Sequence, residues 1–166
     1  ARLVGVADAD PETAAAVADT YDTARVSMET LIERAAAVSV AVPSQYHRRV
    51  GVAALNAGVD VLVEKPIAPT VADARELVAA AEAADAVLQV GHVERFNPAV
   101  AAVEEFVEEL DLIAVEARRL GPPVGDDRSV DSDVVLDLMI DDLDVVRALV
   151  DVDVTAINAM GDPGAG

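Results

Sequence analysis

The residue whose type and place most directly suggest chemistry is Lys65, in the stretch "VLVEKPIAPT" at 61–70. It is the only lysine of the chain, and every other fixed positive side chain is an arginine. Arginine stays protonated at all useful pH values, whereas a lysine desolvated in a cleft can exchange its proton with a reacting hydroxyl. Chance survival of one lysine is the alternative. Lys65 follows a predicted strand, at the edge of the sheet where ligands bind. We therefore predict that Lys65 transfers a proton to or from a bound ligand.

A second candidate is Asp8, at the end of the first predicted strand. In dinucleotide-binding folds an acid at this place accepts hydrogen bonds from the adenosine ribose and repels a 2′-phosphate, which favours NAD over NADP. An ordinary turn aspartate fits the sequence equally well. The glycine-rich turn belongs about 20 residues upstream, and the chain starts in an apolar run without Met. We therefore expect a fragment that lacks the first strand and this turn.

The segment "VPSQYH" (42–47) follows a predicted buried strand and opens a helix. It lies at the carboxyl edge, where open α/β sheets bind ligands. We expect Pro43 to shape the backbone against a cofactor, and Ser44 to cap the helix and contact the same ligand. His47 is either a residue of that cleft or a histidine on the face of the helix.

Acidic residues recur along the predicted helix at 134–150, where Asp137, Asp141 and Asp144 share one face. They are a carboxylate site, part of a metal site, or the solvated face of an acid-rich protein. A transition-metal site would call for a nearby histidine, and the two histidines, His47 and His92, lie elsewhere in the sequence. We expect no metal.

The composition narrows the class of function. There is no cysteine, so disulfides, thiolate metal sites and a catalytic thiol are excluded. A formal net charge of −19 argues against nucleic acid and anionic lipid as partners. No apolar run approaches the roughly 20 residues that span a bilayer, and no signal peptide is recognisable. We expect a cytoplasmic protein. Its scarcity of lysine and its many acidic residues resemble the protein composition of salt-loving archaea, and a GC-rich genome is the alternative explanation.

Apolar runs alternate with helical patterns along residues 1–93. Strands are predicted at 3–8, 38–42, 59–65 and 86–92, and helices at 11–21, 29–37, from 44 to Gly58 and at 70–84. Such alternation predicts an α/β fold with a doubly wound parallel sheet and helices on both faces. Residues 94–166 predict a second, partial α/β domain, with a helix at 97–110, a strand at 112–120, a loop at 121–133 and a strand at 153–160 after the acidic helix.

Four segments carry a resemblance to a known family: "VAVPSQYH", "EKPIA", "GHVERFNPAV" and "DLMIDDLD". In this order they resemble the glucose-fructose oxidoreductase / inositol dehydrogenase / rhizopine-catabolism (Gfo/Idh/MocA) family. Its members are NAD(P)-dependent sugar and cyclitol dehydrogenases with a Rossmann domain and a C-terminal α/β domain built on a large open sheet. "GHVERFNPAV" with "RRLGPP" is most similar to UDP-N-acetylglucosamine 3-dehydrogenases and related nucleotide-sugar enzymes.

The resemblance implies a role for each candidate. It puts Lys65 at the reacting hydroxyl and Asp8 at the adenosine ribose of NAD. The remaining implied cofactor residues are Glu64 and Pro66 around the nicotinamide ribose and Pro43, Ser44 and His47 along the cleft. The implied substrate residues are His92, Arg95, Asn97 and Asp137, beside Lys65. A cleft common to Lys65 and Asp137, and a homo-oligomer, are further expectations.

One position departs from the family pattern. Asp137 is the first residue of the family's Asp-x-x-x-His pair, and the histidine, usually the general base, falls at Asp141 here. An unperturbed carboxyl has a pKa of about 4, so it suits alcohol oxidation at neutral pH less well than imidazole, at about 6.5. The sequence predicts an NAD-dependent oxidoreductase acting on a sugar or nucleotide-sugar hydroxyl. The alternative is a family member that binds NAD or a sugar nucleotide without turnover.

Overall fold

A computed structural model describes residues 2–107, 109–118, 135–150 and 153–161. The chain divides into two compact units, Ala1–Gly91 and His92–Gly166. Within the described ranges, no helix is both long and apolar enough to cross a membrane. The loop predicted at 121–133 lies outside these ranges.

The first unit begins with two helices that use side-chain caps. Helix α1, Pro11–Thr20, starts with proline in its first turn, and Asp10 accepts from the backbone N–H groups of Glu12 and Thr13. Helix α2, Met28–Arg34, is capped by Ser27. Both caps satisfy N–H groups that have no partner within the helix. The strand predicted at 3–8 is reduced to a single parallel bridge between Val6 and Arg25.

A three-stranded parallel sheet forms the centre of this unit. Its strands are β1, Ala37–Val40, β2, Asp60–Val63, and β3, Leu88–Val90, in the order β1-β2-β3. Helix α3, His47–Asn56, links β1 to β2, and helix α4, Val71–Ala84, links β2 to β3. This β–α–β alternation confirms the predicted Rossmann-like fold, with shorter strands than the sequence suggested.

The register puts the apolar residues of the sheet into rows. Two rows, Val38–Val61–Leu88 and Val40–Val63–Val90, face the core, whereas the row Ser39–Leu62–Gln89 between them is exposed. The prediction that both faces of the strands are covered does not hold for this row. Two of its three residues are polar, which is the physical reason that it tolerates solvent.

The core lies between the buried rows and helices α3 and α4. Leu55 and Leu77 are fully buried there. Gly51 of α3 makes the close approach of the two helices possible, because a Cβ atom at this position would be 2.5 Å from Cδ2 of Leu77. The hydrophobic packing of these two helices therefore positions both β–α–β connections.

The predicted helix ends at Thr70 and Gly58 are confirmed, whereas two others are wrong. The helix predicted at 29–37 ends at Arg34, because Ala37 already pairs in β1. Thr70 caps α4 by accepting from Asp73 N–H at 3.1 Å. Gly58 follows α3 with a positive φ of 74°, which glycine adopts without a steric cost. Ser44 does not cap α3: a 3₁₀ turn, Ser44–Tyr46, comes first, and the helix starts at His47 without a side-chain cap.

The regular secondary structure described in the second unit is helical. A 3₁₀ turn, Val93–Phe96, precedes helix α5, Pro98–Val107, and a π-helical turn, Val135–Met139, runs into helix α6, Ile140–Leu149. The strands predicted at 112–120 and 153–160 are not formed by the described residues of those ranges. Ile113 and Ile157 are 97% and 86% exposed, so neither segment buries these side chains against a strand partner among the described residues.

Candidate functional site

The carboxyl ends of the three strands lie at one edge of the sheet. Past the end of β2, Glu64 N–H donates to Val40 O at 3.0 Å, and past the end of β3, Gly91 N–H donates to Val63 O at 2.8 Å. Segments that follow the strands therefore start side by side at this edge. Open parallel sheets bind their ligands in this position.

Lys65 is the second residue beyond β2 at this edge, and its side chain is half-buried. The Lys65–Pro66 peptide bond is cis. Beyond it, Ile67 and Ala68 pack against the core, and Thr70 caps α4. The segment "EKPIAPT" is thus held at both ends, and Lys65 lies close to the end of a buried strand.

His47 is buried and does not lie on an exposed face of the helix. Its side chain is 1% exposed, with Nδ1 3.0 Å from Pro66 O and Nε2 2.8 Å from Val42 O. Both ring nitrogens are therefore occupied by main-chain carbonyl oxygens. The contact with a cofactor expected for His47 stays a prediction, and the contacts present in the structure join two loops of the edge.

Pro43 and Ser44 belong to the loop after β1. Pro43 has extended backbone angles, φ −55° and ψ 141°, and its carbonyl accepts from Tyr46 N–H at 2.8 Å. Ser44 opens the 3₁₀ turn and is half-buried. The loop is short and closed by its own hydrogen bond, and its contact with a ligand stays a prediction.

Glu64 and Gly91 form a close contact that the sequence did not indicate. A Cβ atom on Gly91 would lie 3.3 Å from Oε2 of Glu64 and 3.4 Å from its carboxyl carbon. Glycine at 91 therefore leaves room for the Glu64 carboxylate to lie across the end of β3. The "VGH" sequence at 90–92 was the available signal, since glycine within a strand end often marks such a close approach.

Asp8 lies in an open cavity of about 360 Å³, lined also by Pro11, Arg25 and Ser27. One of its carboxylate oxygens, Oδ1, accepts from Asp10 N–H at 2.8 Å. The residue thus makes the turn contact that was the alternative to ribose binding. The same cavity borders the N-terminus of α1, where Arg25 Nη1 donates to Pro11 O at 3.2 Å.

The second unit contains an ion pair between Arg95 and Asp144. Arg95 Nε and Nη2 donate to the two carboxylate oxygens of Asp144, both at 2.6 Å. His92 Nδ1 is buried, has no hydrogen-bond partner among the described residues, and is 3.7 Å from Oδ2 of Asp144. Asp144, considered before as a member of an acidic stripe, is therefore the residue that orients Arg95.

The two charges of this pair stabilise each other. Hydrogen bonds from Arg95 hold the pKa of Asp144 below its usual value, although burial acts in the opposite direction. The same hydrogen bonds raise the pKa of Arg95, against its desolvation. Two parallel N–H···O bonds give an arginine–carboxylate pair a fixed orientation as well as strength.

This pair predicts a dependence of stability on acid. Because the pKa of Asp144 is lower in the folded state, its contribution is fully present above the unfolded value of about 4 and is lost as pH falls through the folded value. We expect Asp144→Asn to flatten the acid limb of a plot of unfolding free energy against pH. Arg95→Gln should flatten the same limb, since it removes the cation. Equal acid limbs in wild type and both variants, measured by urea unfolding, would contradict the assignment.

The other predicted substrate residues have structural contacts of their own. Asn97 caps α5, since Oδ1 accepts from Ala99 N–H at 3.0 Å, and its Nδ2 donates to Glu94 at 3.0 Å. Asp137 lies in the π-helical turn and Asp141 is buried in the first turn of α6. The simple i, i+4 face expected for these two acids does not extend unchanged through a π turn, a feature often found at functional sites.

Within the described part of the chain, no group of three or more histidine, cysteine, aspartate or glutamate residues is arranged to hold a metal ion. The three acids of the predicted stripe divide between different environments: Asp144 pairs with Arg95, Asp141 is buried and Asp137 is half-buried. They differ in surroundings although their spacing is regular.

Comparisons with known proteins identify the family. Residues 1–92 match the model of the Gfo/Idh/MocA oxidoreductase family, described as having an NAD-binding Rossmann fold. The UDP-N-acetylglucosamine 3-dehydrogenase of Acidithiobacillus ferrooxidans is 35% identical over 164 residues, which cover 96% of this chain and 50% of that protein. The chain spans about half the length of the curated relatives it matches.

Solved structures agree with this result. A structure of UDP-N-acetylglucosamine 3-dehydrogenase GnnA from Acidithiobacillus ferrooxidans superimposes with a TM-score of 0.90 at 33% identity, covering 99% of this chain and 54% of that one. WlbA dehydrogenase from Bordetella pertussis, in complex with NADH and UDP-GlcNAcA, gives 0.62 at 27% identity, covering 65% and 31%. The family resemblance predicted from the four motifs is thereby confirmed. The chain belongs to the Gfo/Idh/MocA oxidoreductase family, whose NAD-binding domain has a Rossmann fold.

Proposed function

We propose that the protein transfers a hydride between NAD and a hydroxyl-bearing carbon of a nucleotide sugar, namely C3 of a UDP-linked N-acetylhexosamine. The observation that carries this proposal is the placement of Lys65, the sole lysine, beside the end of β2 at the carboxyl edge of a Rossmann-like sheet. The substrate class rests on the 35% identity to a UDP-N-acetylglucosamine 3-dehydrogenase along nearly the whole chain. The broader class, a sugar or nucleotide-sugar hydroxyl, applies to the family.

Lys65 is the residue that we propose to handle the hydroxyl proton. Its ammonium group can donate a hydrogen bond to the substrate oxygen, or its neutral amine can accept the proton as the alcohol is oxidised. Bound NAD would supply the hydride acceptor at its nicotinamide ring. The protein's own task is to hold the hydroxyl and Lys65 in a reactive geometry, which the anchored "EKPIAPT" segment favours.

We propose that NAD binds to the loops at the same carboxyl edge of the sheet. Glu64 and Pro66 would contact the nicotinamide ribose, and the turn at Pro43 and Ser44 would lie along the cofactor. Asp8 retains one carboxylate oxygen, Oδ2, outside its turn contact with Asp10, and that oxygen could accept from an adenosine ribose hydroxyl. An acid at this point disfavours a 2′-phosphate, so NAD is the proposed cofactor.

For the second unit we propose roles that follow the family pattern. Arg95 and Asn97 would bind the sugar nucleotide, together with His92, and Asp137 would orient the reacting hydroxyl. The bidentate Arg95–Asp144 pair supports the role of Arg95, because it fixes the guanidinium plane through Nε and Nη2 and does not use Nη1. An N–H group of Nη1 suits a phosphate or a sugar oxygen.

The test is NADH formation, followed by absorbance, with NAD and a panel of UDP-hexosamines, free sugars and inositols. We expect reduction of NAD with a UDP-N-acetylhexosamine and little with inositol. Binding of NAD by calorimetry without turnover on any member of the panel would favour the alternative of a non-catalytic binding protein. Neither binding nor turnover would reject both.

Position 141 offers a separate prediction. Asp141→His restores the imidazole of the family's Asp-x-x-x-His pair, and imidazole accepts a proton near neutral pH more readily than an ordinary carboxylate. We expect turnover at neutral pH to rise by roughly 10-fold or more. Asp142→His, one residue along the same helix, is the matched control and should bring no such gain. An unchanged rate for Asp141→His would argue that this position does not act as the base.

A further inference from the structure

We propose that His47 is a positioning residue for Lys65, and that its imidazole fixes the "EKP" segment by donating a hydrogen bond from Nδ1 to the carbonyl oxygen of Pro66. The inference deepens the proposed function, because the importance of Lys65 rests on that function. It stands on geometry within the first unit: a buried ring with Nδ1 3.0 Å from Pro66 O and Nε2 2.8 Å from Val42 O.

The ring connects two loops of the carboxyl edge. Val42 belongs to the loop after β1, Pro66 to the loop after β2, and His47 itself is the first residue of α3. Among the described residues of the first unit, His47 is the only polar or charged residue in the buried core. A buried ring that contacts two loops and is hydrogen-bonded to one of them favours one arrangement of the segments it joins.

Lys65 lies between two main-chain anchors. On one side Glu64 N–H donates to Val40 O at 3.0 Å, and on the other side the carbonyl of Pro66 faces His47. Proline has no N–H, so this carbonyl is the only backbone hydrogen-bonding group at position 66. Removing its donor would leave a carbonyl oxygen without that partner next to a fully buried side chain, which is costly.

The chemistry of the two contacts allows them to be separated. Both neighbours are acceptors, and a neutral imidazole has one N–H, so the Pro66 contact is a hydrogen bond only when Nδ1 carries a proton. An asparagine amide nitrogen reaches about as far as Nδ1, and a glutamine amide nitrogen about as far as Nε2. His47→Asn therefore keeps a donor for the Pro66 carbonyl. His47→Gln keeps a donor for the Val42 carbonyl but loses the hydrogen bond to the Pro66 carbonyl.

Lys65 provides its own reporter, since it is the only lysine of the chain. Reductive methylation with ¹³C-formaldehyde labels this lysine and the N-terminal amine, and the methyl resonance of Lys65 reports the surroundings of Nζ without any turnover. We expect the resonance in His47→Asn to match that of wild type, and the resonance in His47→Gln to shift by more than its linewidth or to broaden. Equal shifts in both variants, a shift in His47→Asn alone, or no shift in either would overturn the inference.

If a variant fails to fold, a measurement on the unmodified wild-type protein still tests whether Nδ1 of His47 donates to Pro66. Long-range ¹H–¹⁵N spectra of the His47 ring show which nitrogens are protonated, and we expect a proton on Nδ1. A ring protonated on Nε2 alone would overturn the inference. These readouts are independent of catalysis. If the protein is inactive but the Lys65 resonance responds to His47→Gln, only the proposed function is contradicted. If the protein is active and the resonance does not respond, only the positioning role is contradicted.

Discussion

Lys65→Arg is expected to lower turnover by roughly 10²- to 10⁴-fold, the range that a positioned proton-transfer group contributes. Arginine preserves the positive charge at position 65 but cannot give up its proton at a useful pH, and its planar guanidinium needs more room than an ammonium group. The quantity to measure is kcat for NADH formation at saturating NAD and sugar nucleotide. A loss confined to kcat would separate proton handling from binding.

Arg75→Lys is the matched control, because it makes the reverse exchange at an exposed position of α4. It should leave kcat within about twofold, as exposed substitutions seldom perturb structure. NAD affinity and the unfolding midpoint of Lys65→Arg should remain close to those of wild type. A Lys65→Arg protein that turns over at the wild-type rate would remove Lys65 from the proposed mechanism.

Leu77→Ala is expected to reduce the free energy of unfolding by about 2–5 kcal/mol, the usual cost of emptying a buried leucine site. Leu77 is fully buried, and its Cδ2 atom lies where a side chain on Gly51 would otherwise be. Truncation leaves a cavity between α3 and α4, the helices that link the strands. The measurement is urea unfolding followed by circular dichroism.

Val78→Ala tests the specificity of that effect. Val78 is the next residue of the same helix and is 44% exposed, so its truncation removes few contacts and should cost less than about 1 kcal/mol. Comparable losses for the two variants would show that the core does not lie between α3 and α4 as described.

Local patterns were sufficient for most of the first unit. Its parallel sheet follows from short apolar runs separated by helical segments, and its helix ends follow from residues with one strong preference, such as Thr70 and Gly58. These preferences act within one or two turns of chain, so sequence alone reveals them. The strand ends were less predictable, since pairing partners rather than composition determine where a strand stops.

The second unit shows the limit of the same approach. Residues 112–115 form a short apolar run and residues 153–160 alternate apolar and polar side chains, two patterns typical of strands, yet the described residues pair neither segment. A strand is stabilised by its neighbours, and alternation records only that one side of the segment favours burial. The family resemblance predicted the fold correctly. The apolar patterns predicted two strands, at 112–120 and 153–160, that the described residues of those ranges do not form.

The contacts of the candidate site depend on residues far apart in sequence. His47 was recognised as a candidate, but its two carbonyl partners, 5 and 19 residues away, could not be inferred from spacing. Asp144 lies 49 residues from Arg95, and only the fold brings the two charges together. The sequence thus identified which side chains could do chemistry, and the structure supplied their orienting partners.

The most direct test of the central claim is transfer of deuterium from the substrate carbon to the cofactor. UDP-N-acetylglucosamine labelled with deuterium at C3 is incubated with the protein and NAD, and the reduced cofactor and the sugar are analysed by mass spectrometry. The account predicts NADH that carries the deuterium, together with an equal amount of a 3-keto nucleotide sugar. Reduction of NAD without deuterium, or a bound and unaltered nucleotide sugar, would contradict it.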